Sequence, residues 1–213
     1  MSADKIISAI VNTLEGLSKS FCEKEGELAY LALTSKPEFA VRDRLAFELH
    51  MQLSPEYIVA REWSNKTNKR KRIDIAVLRA NKHKVLIQLK TWSLFTFTSA
   101  KRTTAHFKAL YADVKKCQKL HNWRSRVYSL MLATHIESLP DKRYKGVVKY
   151  YDGWEKSFEK HKTSTQIKGV GEERIKKEMR NWQCPAHGTI RAGKAFGTRV
   201  FLLYWLFRPK KKE

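Results

Sequence analysis

The feature that most constrains the fold is a nearly continuous apolar run from Arg126 to His135. A strand that is apolar on both sides is typical of the buried part of a sheet in an α/β protein. The chain has 213 residues, of which 42% are hydrophobic, and this is enough to bury such a strand in a core. We therefore expect an α/β fold with this run as a fully buried strand.

Upstream of this run, the spacing of apolar residues changes from a helical period to a strand period. Pro37 suits the start of a helix, and Val41, Leu45 and Leu49 would form its apolar stripe. The predicted elements are, in chain order, helices over 4–20 and 37–53, strands over 57–63, 72–78 and 83–92, and a helix over 99–121. Three consecutive strands with short connections predict an antiparallel meander.

The last third of the chain is less regular. Helices are predicted over 143–160 and 171–182, and a terminal hairpin over 188–207 with a break between 193 and 197. We expect an N-terminal helical segment (1–34), a core (35–140) and a basic C-terminal α+β extension (141–213) that packs on the core as one domain.

The charge of the chain limits the class of partner. It has 43 Lys and Arg against 21 Asp and Glu, a formal net charge of +22. Such a charge repels itself and favours an anionic partner, and aromatic residues dispersed among the cations favour nucleic acid over a membrane surface. Three widely spaced cysteines, Cys22, Cys117 and Cys184, imply no disulfide framework. We expect a cytoplasmic nucleic-acid-binding protein with no membrane partner.

Polar side chains interrupt two neighbouring predicted strands. Asp74 stands inside the apolar sequence of the second strand, and an isolated carboxylate there requires a partner or a metal ion unless the alternation turns it outward. Gln88 and Lys90, two residues apart, share one face of the third strand with Leu86. An oxygen donor, a carboxylate and a lysine that converge in this way can hold a hard divalent cation and position a water.

This pattern resembles the PD-(D/E)xK nuclease superfamily, the fold of many restriction enzymes and of recombination and repair nucleases. In that family a helix is followed by a three-strand meander, a helix and a strand. An Asp lies on the second strand and a (D/E)-x-K motif on the third. Asp74, Gln88 and Lys90 match these positions, and the resemblance covers roughly residues 35–135. Gln88 departs from the usual acid: it keeps a carbonyl oxygen but brings no negative charge.

The resemblance implies a restriction-endonuclease-like core and a DNA endonuclease that needs Mg²⁺, with Mn²⁺ as the other candidate ion. The implied catalytic residues are Asp74, Gln88, Lys90 and an upstream helical glutamate. The implied metal ligands are Asp74, this glutamate, the Gln88 carbonyl oxygen and the backbone carbonyl of Leu89.

Two glutamates on the predicted helix over 37–53 are candidates for this position. Glu38 lies near the centre of the apolar stripe and is preferred to Glu48, which lies on its flank. Glu62, at the end of the first strand, is a further candidate acid. An ordinary surface charge at a strand end explains Glu62 equally well.

The candidate contacts to nucleic acid are basic residues in the first turn of the meander and at the start of the long helix, namely Lys66, Lys69, Arg70, Lys71, Arg72, Lys101 and Arg102. A solvated loop explains the first group equally well. We expect duplex DNA as the partner and consider a homodimer, because cutting both strands commonly needs two sites. The alternatives are a DNA-binding module of the same fold without turnover and a basic RNA-binding protein.

Overall fold

A mixed sheet of six strands with helices on both faces forms the part of the chain that the structure describes. The structure is a computed structural model and describes residues 3–21, 26–64, 72–80, 82–120 and 126–210. The helices are α1 (Ala3–Ser20), α2 (Glu27–Thr34), α3 (Glu38–Leu53), α4 (Ala100–Leu120), α5 (Tyr151–His161) and α6 (Ser164–Glu178). The strands are β1 (Ile58–Ser64), β2 (Arg72–Arg79), β3 (Lys82–Ser93), β4 (Arg126–Ile136), β5 (Trp182–Ala195) and β6 (Thr198–Pro209). A 3-10 helix (Leu94–Thr98) joins β3 to α4.

The strand order in the sheet is β1-β2-β3-β4-β6-β5. The pairs β1–β2 and β2–β3 are antiparallel, so the predicted meander is confirmed. Strand β4 is parallel to β3, as the crossover through α4 requires, and it pairs on its other side with β6. Every β4 residue from Val127 to Ile136 is buried. The α/β class and the strand buried on both faces are therefore confirmed.

Helices cover the two faces of the sheet unequally. The apolar stripe of α1 is buried beside α3 and one face of the strands, to which Val85, Ile87 and Leu89 of β3 belong. Leu86 points to the other face, where it packs with Val114 and Cys117 of α4. Because Gln88 and Lys90 alternate with Leu89 along β3, they lie on the α4 face, as the strand period predicted.

Both predicted C-terminal helix ranges are wrong in their bounds. The 143–160 prediction begins too early, because residues 142–144 form a short 3-10 turn and α5 begins only at Tyr151. The 171–182 prediction begins too late. Helix α6 begins at Ser164, where the Thr163 hydroxyl accepts a hydrogen bond from the Gln166 N–H at 3.2 Å. Gly171 lies inside α6, where a Cβ atom would come within 3.1 Å of Leu94 Cδ1.

The C-terminal hairpin is longer than predicted and extends the central sheet. Strand β5 begins at Trp182, inside a range predicted as helical, and β6 hydrogen-bonds to β4. The turn consists of Phe196 and Gly197, with φ values of 51° and 81°. Two positive φ values match the twist that a two-residue hairpin requires. Helix α2, which was not predicted as a separate helix, packs against β5 and β6.

Among the described residues, no helix is both long enough and apolar enough to cross a membrane. Cys117 and Cys184 are free thiols, and Cys22 lies outside the described residues.

Candidate functional site

Strands β2 and β3 separate at Asp74. Their paired residues run from Arg79 opposite Lys82 to Ile75 opposite Ile87. Beyond this point β2 stays paired with β1, and β3 stays paired with β4. The Asp74 carboxylate occupies the opening, where Oδ2 accepts a hydrogen bond from the Leu89 N–H at 2.7 Å. A side-chain hydrogen bond thus replaces the next backbone pair, and the carboxylate lies at a fork in the sheet.

The backbone of β1 is distorted opposite the same position. The β1–β2 register places Glu62 opposite Asp74, between the pairs Arg61–Ile75 and Trp63–Ile73. Glu62 has a φ of 47°, in the left-handed region that non-glycine residues rarely adopt. Strain of this kind is concentrated at functional sites in proteins. Asp74 therefore sits between two irregular neighbouring strands.

The environment of Asp74 disfavours its negative charge. Burial raises the pKa of its carboxyl to about 6, and the nearby charge of Glu38 also raises it. The Leu89 N–H and the positive charges of Lys90 and Arg42 act in the opposite direction and lower this pKa. A bound cation would act in the same direction as these positive groups.

Both ends of the Gln88 carboxamide have a partner. Its Nε2 donates a hydrogen bond to Asp74 Oδ2. Its Oε1 faces the Cys117 Sγ on α4 at 3.7 Å. Burial, followed by the charges of Asp113 and Asp74, raises the pKa of the Cys117 thiol to about 11, so the thiol stays protonated. A half-turn of the carboxamide would exchange its nitrogen and oxygen and bring a carbonyl oxygen beside Asp74.

Lys90 is held by an acid on α4. Its Nζ lies 3.2 Å from Asp113 Oδ2, and the two side chains are 30% and 28% exposed. Burial alone would lower the pKa of Lys90, but the attraction and hydrogen bond of Asp113 outweigh it, so the pKa is raised. The lysine is therefore a fixed cation beside the fork. Asp113 was not predicted as a site residue.

The two candidate glutamates of α3 have different surroundings. Glu38, in the first turn of α3, lies near Asp74 and Lys90, because its charge acts on the pKa of both. Its Oε2 is 3.5 Å from the Thr91 hydroxyl at the end of β3. Glu48 instead accepts a hydrogen bond from the Ser20 hydroxyl of α1 at 3.0 Å. Of the two, Glu38 is the one that the structure brings to the fork.

Glu62 binds two arginines. Arg42 Nη1 lies 2.8 Å from its Oε1, and Arg72 Nη1 lies 2.9 Å from its Oε2. Arg42 is buried on α3 and also binds Asp43 at 2.7 Å. Its positive charge lowers the pKa of Asp74, so it belongs electrostatically to the site although it was not predicted. Glu62 thus anchors cations beside the fork.

Of the seven basic residues predicted to contact nucleic acid, three lie within the described residues. Arg72, at the start of β2, is exposed and bound to Glu62. Lys101 and Arg102 are exposed in the first turn of α4. The remaining four, Lys66, Lys69, Arg70 and Lys71, lie outside the described residues.

The oxygen atoms at the fork are suited to a hard cation. Within the described residues, no group of three or more His, Cys, Asp or Glu side chains is arranged to hold a metal ion. Mg²⁺, however, is commonly bound by one or two carboxylates together with carbonyl oxygens and waters. The N–H and C=O of a strand residue point to the same neighbouring strand, so the Leu89 carbonyl also faces the opening beside Asp74. With Glu38 nearby, the donor set fits Mg²⁺.

Comparisons of the chain with protein-family models, with curated proteins and with solved structures found no match.

Proposed function

We propose that the chain is a Mg²⁺-dependent DNA endonuclease with a restriction-endonuclease-like core. One observation carries the proposal: the Asp74 carboxylate lies in a fork between β2 and β3, with Gln88 and Lys90 on the same face of β3. The chain order of α3, β1, β2, β3, α4 and β4 supports the proposal, because it is the order found in the PD-(D/E)xK superfamily.

Asp74, Glu38, the Gln88 side-chain oxygen and the Leu89 carbonyl would hold the Mg²⁺ ion. When bound, Mg²⁺ supplies Lewis acidity that makes a water more nucleophilic and stabilises charge on a phosphate. Gln88 must turn its carboxamide to present its oxygen, because its Nε2 now faces Asp74. Asp74 must be deprotonated, and with a pKa of about 6 it is largely so at neutral pH.

Lys90 acts as a hydrogen-bond donor in this mechanism. Its pKa is raised by Asp113 despite burial, so Nζ keeps its proton at neutral pH. A protonated lysine cannot accept a proton from water, but it can orient the attacking water and stabilise the negative charge that develops on the phosphate. Asp113 is a positioning residue, since it holds Lys90 through a contact of 3.2 Å.

The charge of the protein supports DNA as the substrate. A net charge of +22 attracts a polyanion, and the exposed Lys101 and Arg102 can contact phosphates near the end of β3. Cutting both strands of a duplex commonly needs two sites, and a homodimer would supply them. Duplex cleavage and dimerisation are parts of the same proposal.

A cleavage assay tests the proposal. Plasmid and linear duplex DNA are incubated with the protein in Mg²⁺, in Mn²⁺ and in EDTA. We expect metal-dependent cutting that falls by at least about 100-fold in Asp74→Asn and in Lys90→Ala. DNA affinity in EDTA, measured by fluorescence anisotropy, is the control that both variants still fold and bind. Cutting that continues in EDTA or in Asp74→Asn would exclude this site.

A binding protein of the same fold without turnover is the second candidate. The observation that favours it is the hydrogen bond from Gln88 Nε2 to Asp74, which gives the carboxylate a partner without a cation. This candidate predicts tight DNA binding that is unchanged by EDTA and no cutting of any duplex in Mg²⁺ or Mn²⁺. The cleavage assay therefore separates the two candidates.

A further inference from the structure

A cavity of about 390 Å³ opens beside the fork, at the carboxyl end of β3. Thr91 and Pro37 both line it. Thr91 contacts Glu38 through its hydroxyl, and Pro37 directly precedes Glu38, so the cavity adjoins the candidate catalytic residues. Its volume is near the lower end of the range of about 300–1,000 Å³ that small-molecule sites occupy. It therefore suits one monomer unit of a polymer and is too small for a double helix.

One wall of the cavity is an aromatic platform. The Trp92 indole lies 4.5 Å from the His106 imidazole, with an angle of 29° between the rings, which is a stacked arrangement. Phe97 contacts both rings edge-on, at 5.9 Å from Trp92 and 5.2 Å from His106. The His106 Nε2 lies 3.1 Å from the Thr96 hydroxyl. These contacts fix the indole, which remains partly exposed where it lines the cavity.

A second aromatic residue at the cavity has a strained backbone. Tyr150 lines the cavity and is 50% exposed. Its φ of 61° lies in the left-handed region, which is rare for a bulky residue. The preceding residue, Lys149, donates its N–H to the Leu33 carbonyl of α2 at 2.6 Å and so ties this segment to the fold. An exposed aromatic ring is thus held at the cavity at an energetic cost.

The polar lining of the cavity is complementary to an anion. Lys36 and Arg102 line it, and none of its described lining residues is acidic. Burial, and then the charge of Arg102, lower the pKa of His106 to about 4, so the imidazole is neutral. A site with aromatic walls and two cations is complementary to a nucleotide, because aromatic rings can stack on its flat base and the cations can bind its phosphate.

We propose that this cavity takes one unpaired deoxynucleotide of the DNA substrate. The base would lie against Trp92 and Tyr150, and a phosphate of the same strand would bind Lys36 and Arg102. The proposal rests on the proposed nuclease function, because that function supplies DNA as the substrate class. An unpaired nucleotide is either extruded from a duplex or located at a single-stranded end, and both sources present the same chemistry.

Fluorescence anisotropy in EDTA tests the proposal without cleavage. The probes are a fully paired hairpin duplex, the same duplex with one unpaired nucleotide, that duplex with an abasic residue at the unpaired position, and the duplex with a short single-stranded overhang. We expect the unpaired nucleotide or the overhang to bind at least about fivefold more tightly than the paired duplex. The abasic probe should bind like the paired duplex. Whichever of the two favoured probes binds more tightly identifies the source.

Substitutions then test whether the preference for unpaired DNA arises in the cavity. Tyr150→Ala should weaken binding of the preferred probe by about 5- to 140-fold and leave the paired duplex nearly unchanged, because base stacking on one aromatic ring is lost. Arg102→Gln should weaken the preferred probe more than the paired duplex. Lys101→Gln is the matched control, since it removes an adjacent exposed cation that does not line the cavity. It should weaken all probes equally.

Two results would overturn the proposal. One is equal affinity of the wild-type protein for paired, unpaired and abasic probes. The other is a Tyr150→Ala variant that weakens every probe by the same factor. Cleavage in Mg²⁺ without any preference for unpaired DNA in EDTA would refute the proposed nucleotide site and leave the proposed nuclease function intact. Preferential binding of unpaired DNA in EDTA without cleavage in Mg²⁺ would support the nucleotide site and refute the nuclease function.

Discussion

The substitution Asp74→Asn should stabilise the fold when no metal is present. Burial, with the charge of Glu38, raises the pKa of the Asp74 carboxyl from 3.8 to about 6. Ionising a group whose pKa is higher in the folded state than in the unfolded state destabilises the folded state. At about 1.4 kcal/mol per pKa unit, this pKa difference corresponds to about 3 kcal/mol at neutral pH. Asparagine is neutral and avoids this penalty.

The expected gain in the free energy of unfolding is about 2 kcal/mol at pH 8. The value is below 3 because Asp74 is only partly buried, so solvent stabilises part of its charge in the folded state. The gain should depend on pH with a definite sign. Wild-type Asp74 is protonated in both states below pH 3.8 and ionised in both above about 6. The advantage of the variant should therefore appear between these pH values and stay constant above about pH 7.

Urea denaturation in EDTA between pH 4 and pH 8 measures this effect. Asp152→Asn is the matched control, because Asp152 is an exposed carboxylate bound to Lys145 at 2.6 Å and its pKa is lowered by that hydrogen bond. The control should not be stabilised at any pH in this range. If Asp74→Asn has the same or lower stability than the wild type at pH 8, or if its effect does not change between pH 4 and pH 8, the burial of an ionised Asp74 would be refuted.

Three further predictions concern the site and the fold. Gln88→Glu should lower the Mg²⁺ concentration for half-maximal activity by at least about tenfold, because it adds a negative charge to a side chain that is proposed to bind the ion, and tenfold corresponds to only about 1.4 kcal/mol. Gln118→Glu, the same change at an exposed position of α4, should have no such effect. Glu38→Gln should reduce the cleavage rate at least about tenfold in plasmid assays, whereas Glu48→Gln, beside Ser20, should leave the rate within about twofold. Gly26→Ala should lower the free energy of unfolding by at least about 2 kcal/mol, since φ is 67° and a Cβ would lie 2.2 Å from the Lys194 carbonyl oxygen. Gly16→Ala should raise it by up to about 1 kcal/mol, because Gly16 is inside α1 with open space around it. Thermal unfolding of the two glycine variants distinguishes the expected loss of stability in Gly26→Ala from the expected gain in Gly16→Ala. Equal changes in stability in the two variants would contradict the close packing at Gly26.

Elements with a strong apolar period were predicted close to their observed bounds. The expected helix over 4–20 is Ala3–Ser20, and the expected strand over 126–135 is Arg126–Ile136. In both cases the pattern is local, because each residue is buried or exposed according to its own place in the period. With the exception of α2 (Glu27–Thr34), the order of the helices and strands in the first two thirds of the chain follows from the same signal.

The C-terminal third was predicted poorly for identifiable reasons. Strand β5 has a polar, alternately exposed sequence, and its strand conformation depends on pairing with the apolar β6. The start of α6 had a local signal that was missed: Thr163 and Gln166 have the spacing of a capping box, and the Thr163 hydroxyl does cap the helix. Gly171, the first residue of the predicted range, lies inside α6 and packs closely against Leu94.

The candidate site was predictable in its centre and not in its surroundings. Asp74, Gln88 and Lys90 lie on adjacent strands, so strand alternation brings them together. Asp113 could have been found, because it is the only acid between Ser99 and His121 and lies at helical spacing from the buried Leu110 and Cys117. The buried Arg42, the partners of the Gln88 carboxamide and the cavity depend on distances between elements far apart in sequence, which no local pattern encodes.

Several unfavourable features lie close together in this protein. Asp74 is a carboxylate whose pKa is raised by burial, and Glu62, opposite it on β1, has a left-handed backbone. Tyr150 has a left-handed backbone at the cavity that adjoins the same site. Each feature lowers stability, and a sequence shaped by stability alone would remove them. Ala80, Lys162 and Phe196 also have positive φ, but they lie in turns or bends away from the site, whereas Glu62 lies within a strand opposite the buried Asp74. A cation at Asp74, as proposed above, would offset the cost of burying this carboxylate.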